Sequence, residues 1–104
     1  MPTPSQCTTM PELRAEIDRI DRALIALMGE RVACIDRAAE IKAEQGLPAR
    51  IAARVDEVLA HVRDQARMAG VDPELTEQLW TLLIEWSIAR EEARLGTGGK
   101  EQME

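Results

Sequence analysis

Residues 13–44, LRAEIDRIDRALIALMGERVACIDRAAEIKAE, contain the strongest structural signal in the chain. Their apolar side chains recur with the spacing of an α-helix, at Leu13, Ile17, Ile20, Leu24, Leu27, Met28, Ile35, Ala38 and Ile41. No proline interrupts this stripe before Pro48, and Gly46 is a natural position for the helix to end. The stretch therefore predicts one helix of roughly 48 Å, since each residue adds about 1.5 Å.

Two further helices follow from the same kind of pattern. A second is predicted over residues 51–68 and ends at Gly70, and a third begins at Asp72-Pro73-Glu74, where Asp can cap and Pro suits the first turn. The chain has no Phe or Tyr and is poor in strand formers. We therefore expect an all-α domain over residues 11–95, with an N-terminal extension at 1–10 and a disordered tail at 96–104.

The length of the first helix bears on assembly. A compact domain of about 100 residues has a diameter of only about 35 Å, so the helix would extend beyond its own domain. Its apolar stripe continues to Ile41, and a second copy of the chain is the simplest cover for it. We predict an intertwined helical homodimer. The alternative is a break near Gly29 that forms a hairpin within a monomer.

Charge and cysteine content exclude several classes of protein. The chain has 13 basic and 19 acidic residues, a net charge of −6, which argues against nucleic-acid or membrane-surface binding. No apolar run approaches about 18 residues and the N-terminus has no signal-peptide pattern, so we expect a cytoplasmic protein. Two cysteines and one histidine offer no metal-ligand spacing, and we expect neither a metal nor a cofactor. We also expect Cys34 to be buried, His61 to lie at the surface, and Trp80 and Trp86 to fill helix interfaces.

Two cations fall on the apolar face of the first helix. Arg31 lies four residues after Leu27, and Lys42 follows Arg31 by 11 residues, close to three turns. In the third helix, Ser87 and Glu91 are four apart and so share a face. Buried charges need acidic partners or an anionic ligand. The alternative is that these side chains reach the surface as ordinary solvated charges.

These residues resemble the all-helical chorismate mutase family. The shared features are Leu13-Arg14, Ile17-Asp18, the spacing from Arg14 to Arg31, Lys42 and Arg54, and Ser87-x-x-x-Glu91. Its branch of isochorismate pyruvate lyases is similar in Cys7-Thr8, in IDRID at 17–21 and in LIEW at 83–86. The resemblance covers about residues 7–95. It implies a three-helix dimer with two active sites, each built from both protomers, and a pericyclic reaction of a small dicarboxylate.

The resemblance also implies roles for single residues. Arg31 and the partner protomer's copy of Arg14 would bind carboxylates, Lys42 would hold a carboxylate and donate to the ether oxygen, Arg54 would support the ring, and Ser87 would touch the carboxylate or ring. Glu91 stands where much of the family has Gln. Because a carboxyl group donates a hydrogen bond only when protonated, we expect activity that falls as pH rises.

At two further positions the chain differs from well-studied mutases, so the resemblance does not decide which substrate it takes. Val55 is apolar, as in the lyase branch, where well-studied mutases have Glu, and Ile51 replaces an acidic residue. Either Arg50 or Arg54 could enter the site. Our first expectation is a stand-alone chorismate mutase of aromatic amino-acid biosynthesis, and the second is an isochorismate pyruvate lyase. The third is a non-catalytic helical dimerisation module.

Overall fold

The computed structural model describes residues 3–95, which form three α-helices after a short 3-10 helix at Pro4–Gln6. The helices are α1 (Met10–Gln45), α2 (Ala52–Ala69) and α3 (Pro73–Leu95). No strand occurs within residues 3–95. The all-α prediction and the three-helix prediction are confirmed, whereas the expected tail at 96–104 lies outside the described residues.

Helix α1 is continuous over 36 residues, about 54 Å of helix. It passes through Gly29 without a break, so the alternative of a hairpin at that position is wrong. It begins at Met10, ahead of Pro11, and its first turn is closed by Glu12, whose Oε1 accepts hydrogen bonds from the backbone N–H of Thr8 (2.8 Å) and of Thr9 (3.1 Å). The Thr8 backbone N–H is the largest cause that lowers the pKa of Glu12 from its usual value.

The two connections between helices use glycines in the left-handed region. Gly46 (φ 69°) follows α1 and Gly70 (φ 75°) follows α2, and this conformation is strained for any residue with a Cβ. Behind Gly46, the N–H of Leu47 donates to the carbonyl of Lys42 at 2.9 Å. Before α3, Asp72 Oδ1 accepts from the N–H of Glu74 at 2.9 Å, as the predicted start signal requires.

The chain divides into two units, Met1–Cys34 and Ile35–Glu104, and the boundary falls within α1. In the first unit, the apolar stripe of α1 is exposed. Its members there include Ile17, Ile20, Leu24, Leu27 and Met28, which are between 43% and 59% exposed. Cys34 is exposed as well, so our expectation that it is buried is wrong: residues 3–95 leave the stripe beside it uncovered.

The second unit has a small apolar core in which Ala49, Ile84 and Ile88 are buried. Partly buried side chains pack against them: Val55, Val58, Leu59, Trp80 and Leu95. Trp80 therefore packs at a helix interface as predicted. Trp86 is 48% exposed, and its ring centroid lies 5.4 Å from the guanidinium carbon of Arg90. His61 is at the surface, as expected.

Candidate active site

The ammonium group of Lys42 connects three parts of the second unit. Lys42 lies in the last turn of α1, and its Nζ donates to the carbonyl of Ala49 in the α1–α2 connection and to Oε1 of Glu91 on α3, each at 2.7 Å. An ammonium has three N–H donors, so these two acceptors leave one for an incoming group. The sequence predicted Lys42 and Glu91 as separate site residues, and the structure brings them into direct contact.

The Lys42–Glu91 pair is largely shielded from water. The two side chains are 18% and 5% exposed, respectively. Electrostatic interactions strengthen where water is excluded, but two charges are expensive to desolvate, so a buried pair adds little net stability. The pair therefore holds the Lys42 ammonium in a fixed and sheltered position, from which its remaining N–H can donate to an incoming group.

Ser87 lies one turn before Glu91 on the same face of α3, as its spacing predicted. It is 4% exposed, and its hydroxyl donates to the carbonyl of Leu83 at 2.7 Å. This bond uses the only hydroxyl proton, so Ser87 does not donate to a ligand while the bond is made. Its proposed contact with substrate stays a prediction.

Two arginines flank the start of α2, and the structure separates them. Arg50 donates two hydrogen bonds to Glu85 of α3, from Nη2 to Oε1 at 2.6 Å and from Nη1 to Oε2 at 3.0 Å. These bonds lower the pKa of Glu85 and raise that of Arg50. Arg54 instead pairs with Glu57 on α2 at 2.8 Å, and both side chains are 68% exposed. Which arginine meets a substrate stays a prediction, but of the two it is Arg50 that is bound to α3.

The remaining predicted cations belong to the first unit. Arg14 is exposed near the start of α1, and Arg31 is half-buried. They are 17 residues apart, about 25 Å along one helix. One small substrate cannot span that distance, so these two arginines of a single chain cannot bind the same molecule.

An ion pair between α1 and α3 joins two residues that the sequence did not single out. Arg90, next to Glu91, donates from Nε to Asp36 Oδ1 at 2.6 Å and from Nη2 to Oδ2 at 3.0 Å, which ties α1 to α3. The hydrogen bond from Arg90 lowers the pKa of Asp36. The partners are 54 residues apart in sequence, and neither interrupts an apolar stripe. No pattern in the sequence could have paired them.

One concavity away from Lys42 is poorly suited to an anion. A surface concavity of about 520 Å³ is lined by Glu74, Glu77, Gln78 and Thr81. Two carboxylates there would repel a dianion. Within residues 3–95, no cluster of three or more His, Cys, Asp or Glu side chains could hold a metal ion. No helix in that range combines the length and the apolar character needed to cross a membrane.

Three helices without strands in the described range, with a sheltered ammonium–carboxyl pair joining the first helix to the third, define an all-α protein with a charged site. The chain belongs to the chorismate mutase type II family, whose model matches residues 13–92. The match includes every site residue predicted above, from Arg14 to Glu91. The predicted family resemblance is therefore confirmed.

Individual relatives come from two kinds of protein. The chain is 34% identical over 95 residues to an isochorismate pyruvate lyase of Pseudomonas aeruginosa, an alignment that covers 88% of this chain and 89% of the relative. It is 36% identical over 67 residues to a T-protein of Enterobacter agglomerans, covering 64% of this chain and 18% of that protein. With a T-protein of Haemophilus influenzae it shares 32% over 82 residues, covering 79% and 22%. The chain thus spans about a fifth of the length of the T-proteins.

Proposed function

We propose that this protein is a chorismate mutase, which converts chorismate to prephenate by a Claisen rearrangement. The observation that carries the proposal is the ammonium of Lys42, fixed by Glu91 and by the Ala49 carbonyl with one N–H left over, in a chain of the type II family. Lys42 is the cation that the family resemblance assigns to the ether oxygen of the substrate.

The rearrangement of chorismate requires only that the enzyme fix the substrate's conformation and stabilise its developing charge. Chorismate is a dicarboxylate with an enolpyruvyl ether on a cyclohexadiene ring, and its rearrangement breaks one C–O bond while one C–C bond forms in the same molecule. No external nucleophile takes part. The enzyme has to hold the compact conformation and to stabilise the negative charge that grows at the ether oxygen. The third N–H of Lys42 is suited to that oxygen or to an adjacent carboxylate.

Glu91 would also act on the substrate directly, as a hydrogen-bond donor. Its Oε1 accepts from Lys42, so a proton on the other oxygen, Oε2, would allow it to donate to the ether oxygen. This requirement would make the reaction slower as pH rises. Ser87, one turn earlier and buried, would contact the carboxylate or the ring of the substrate.

The proposal includes a homodimer. The apolar stripe of α1 supports it, because side chains such as Leu24 (54%) and Leu27 (59%) are more than half exposed among the described residues of one chain. Arg14 of a second copy would then bind one carboxylate of the substrate, and Arg31 another. We further propose a cytoplasmic enzyme of aromatic amino-acid biosynthesis, without nucleic-acid or membrane partners, in keeping with its net charge of −6.

A second candidate is isochorismate pyruvate lyase activity. Two observations favour it: the Pseudomonas relative of that name aligns over 89% of its length, and Val55 packs against the apolar core where many mutases have a carboxylate. In this reaction the ether C–O bond breaks and a ring hydrogen passes to the enolpyruvyl methylene, which leaves salicylate and pyruvate. The same cations would serve both reactions.

One experiment separates the candidates. The purified protein is given chorismate or isochorismate in separate reactions, and prephenate, salicylate and pyruvate are measured. Prephenate formation that is lost in Lys42→Ala supports the mutase, and salicylate with equimolar pyruvate supports the lyase. Turnover of neither compound, with no binding of either by calorimetry, would instead favour a non-catalytic dimerisation module.

A further inference from the structure

The segment between α1 and α2 is fastened to the site residue Lys42 at two points. The N–H of Leu47 donates to the Lys42 carbonyl at 2.9 Å, and the Ala49 carbonyl accepts from Lys42 Nζ at 2.7 Å. Ala49 is only 7% exposed and belongs to the core cluster. Any displacement of this segment would therefore remove one of the two acceptors that orient the ammonium.

The next residue, Arg50, attaches the same segment to α3. Its two hydrogen bonds to Glu85 have the planar bidentate geometry that makes guanidinium–carboxylate pairs directional. Glu85 precedes Glu91 by six residues, about 9 Å along α3. Two ion pairs to α3 thus fix the position of Ala49. Arg50, the next residue, is bound to Glu85, and Lys42, which donates to the Ala49 carbonyl, is bound to Glu91.

We propose that the Arg50–Glu85 pair is a latch that orients the ammonium of Lys42 for catalysis. The latch holds the Ala49 carbonyl against one N–H of Lys42 while Glu91 holds another, so the tetrahedral ammonium points its third N–H in one direction. Without the latch the ammonium can rotate, and its free donor no longer meets the reacting oxygen. In this role Arg50 and Glu85 are positioning residues, which act on Lys42 through Ala49.

This role differs from a contribution to stability. Both side chains of the pair are about half exposed, at 49% and 51%, and pairs of that exposure add little to folding stability. The chain offers a matched control in Arg63–Glu77, which joins α2 to α3 at 2.8 Å with side chains 36% and 43% exposed. A role in stability alone predicts equal effects from breaking either pair.

The experiment compares Glu85→Gln and Arg50→Gln with Glu77→Gln. We expect kcat to fall by about 10-fold to 100-fold in the first two variants, with a smaller change in KM, because orientation matters most in the transition state. Glu77→Gln should keep the wild-type kcat. Arg50→Lys, which retains the charge without the bidentate geometry, should recover part of the loss, and Arg50→Gln/Glu85→Gln should lose no more than either single variant.

A second measurement is independent of turnover. The backbone amides of residues 46, 47 and 49–51 should exchange with deuterium faster in Glu85→Gln than in Glu77→Gln, with equal exchange in the middle of α2. Wild-type kcat in Glu85→Gln would overturn the latch, as would a loss confined to Arg50→Gln, which would show that Arg50 contacts the substrate itself. The latch rests on the proposed function only for its kinetic readout. If the wild type turns over neither substrate, the proposed function fails, and unchanged exchange in Glu85→Gln would still overturn the latch.

Discussion

The Nζ of Lys42 lies 2.7 Å from Oε1 of Glu91, and the two residues are 49 positions apart in sequence. The pair is a close contact between two residues that the sequence had singled out independently. It joins the last turn of α1 to α3 in a sheltered environment, where a single charge has large effects on both folding and ligand binding.

Replacing Lys42 should separate those two effects. Lys42→Gln should lower kcat/KM by at least about 100-fold, because the donor to the developing charge is lost. It should also lower the free energy of unfolding by about 3 kcal/mol, since Glu91 is left buried without its cation. Lys42→Met/Glu91→Leu should recover most of the stability and none of the activity. Activity assays and urea unfolding of both variants check this, and activity in the double variant would remove Lys42 from the mechanism.

Replacing Glu91 should change the pH dependence of the reaction. A Gln at this position donates a hydrogen bond at every pH, so Glu91→Gln should give a flatter profile of kcat/KM between about pH 5 and 8 than the wild type, whose activity should fall with rising pH. Ser87→Ala, on the same face of α3, should keep the wild-type slope. A wild-type profile that is flat over this range would contradict the need for a proton on Glu91.

Acid should weaken the Asp36–Arg90 connection. The Arg90 hydrogen bond lowers the pKa of Asp36 in the folded chain from an ordinary 3.8, so its stabilisation is present above that value and disappears as pH falls through the lower folded value. Asp36→Asn should therefore be less stable than the wild type at pH 7, and the difference should shrink toward about pH 2. Thermal unfolding across this range measures it. Glu40→Gln, in the exposed Arg37–Glu40 pair, serves as control, and a constant difference for Asp36→Asn would contradict the linkage.

Two glycines should respond in opposite directions to the same substitution. Gly46→Ala places a Cβ at φ 69° and should destabilise the chain by about 1 kcal/mol. Gly29 lies inside α1 with open space on the side where a Cβ would project, so Gly29→Ala should stabilise by about 0.5–1 kcal/mol. Urea unfolding compares the two. Destabilisation by Gly29→Ala would indicate that a second copy packs against that position.

A charge on the stripe of α1 should disrupt the proposed dimer. Leu24→Glu places a carboxylate among apolar side chains that the dimer would bury, and sedimentation equilibrium should show a monomer. Arg22→Glu introduces the same group two residues earlier, about 200° around the helix, and should leave the dimer intact. A wild-type protein that sediments as a monomer would contradict the dimer and, with it, the role of Arg14 in a second copy's site.

Most of the fold could be predicted because its signals are local. The apolar period of α1, the glycine after α2 and the Asp-Pro-Glu start of α3 each act within a few residues, and the helix bounds agree with the predictions to within three residues. Cys34 was predicted incorrectly. Periodicity identifies which face of a helix is apolar, but it does not say whether that face is covered within one chain.

The sequence by itself determined that the chain is helical, that α1 is longer than a compact domain, and that cations interrupt its apolar face. Only the tertiary structure decided which charges meet: Lys42 with Glu91, Arg90 with Asp36, and Arg50 with Glu85. The reason is physical. Helix formation depends on backbone bonds four residues apart, whereas these ion pairs join residues 35 to 54 positions apart and depend on how the connection between α1 and α2 turns the chain.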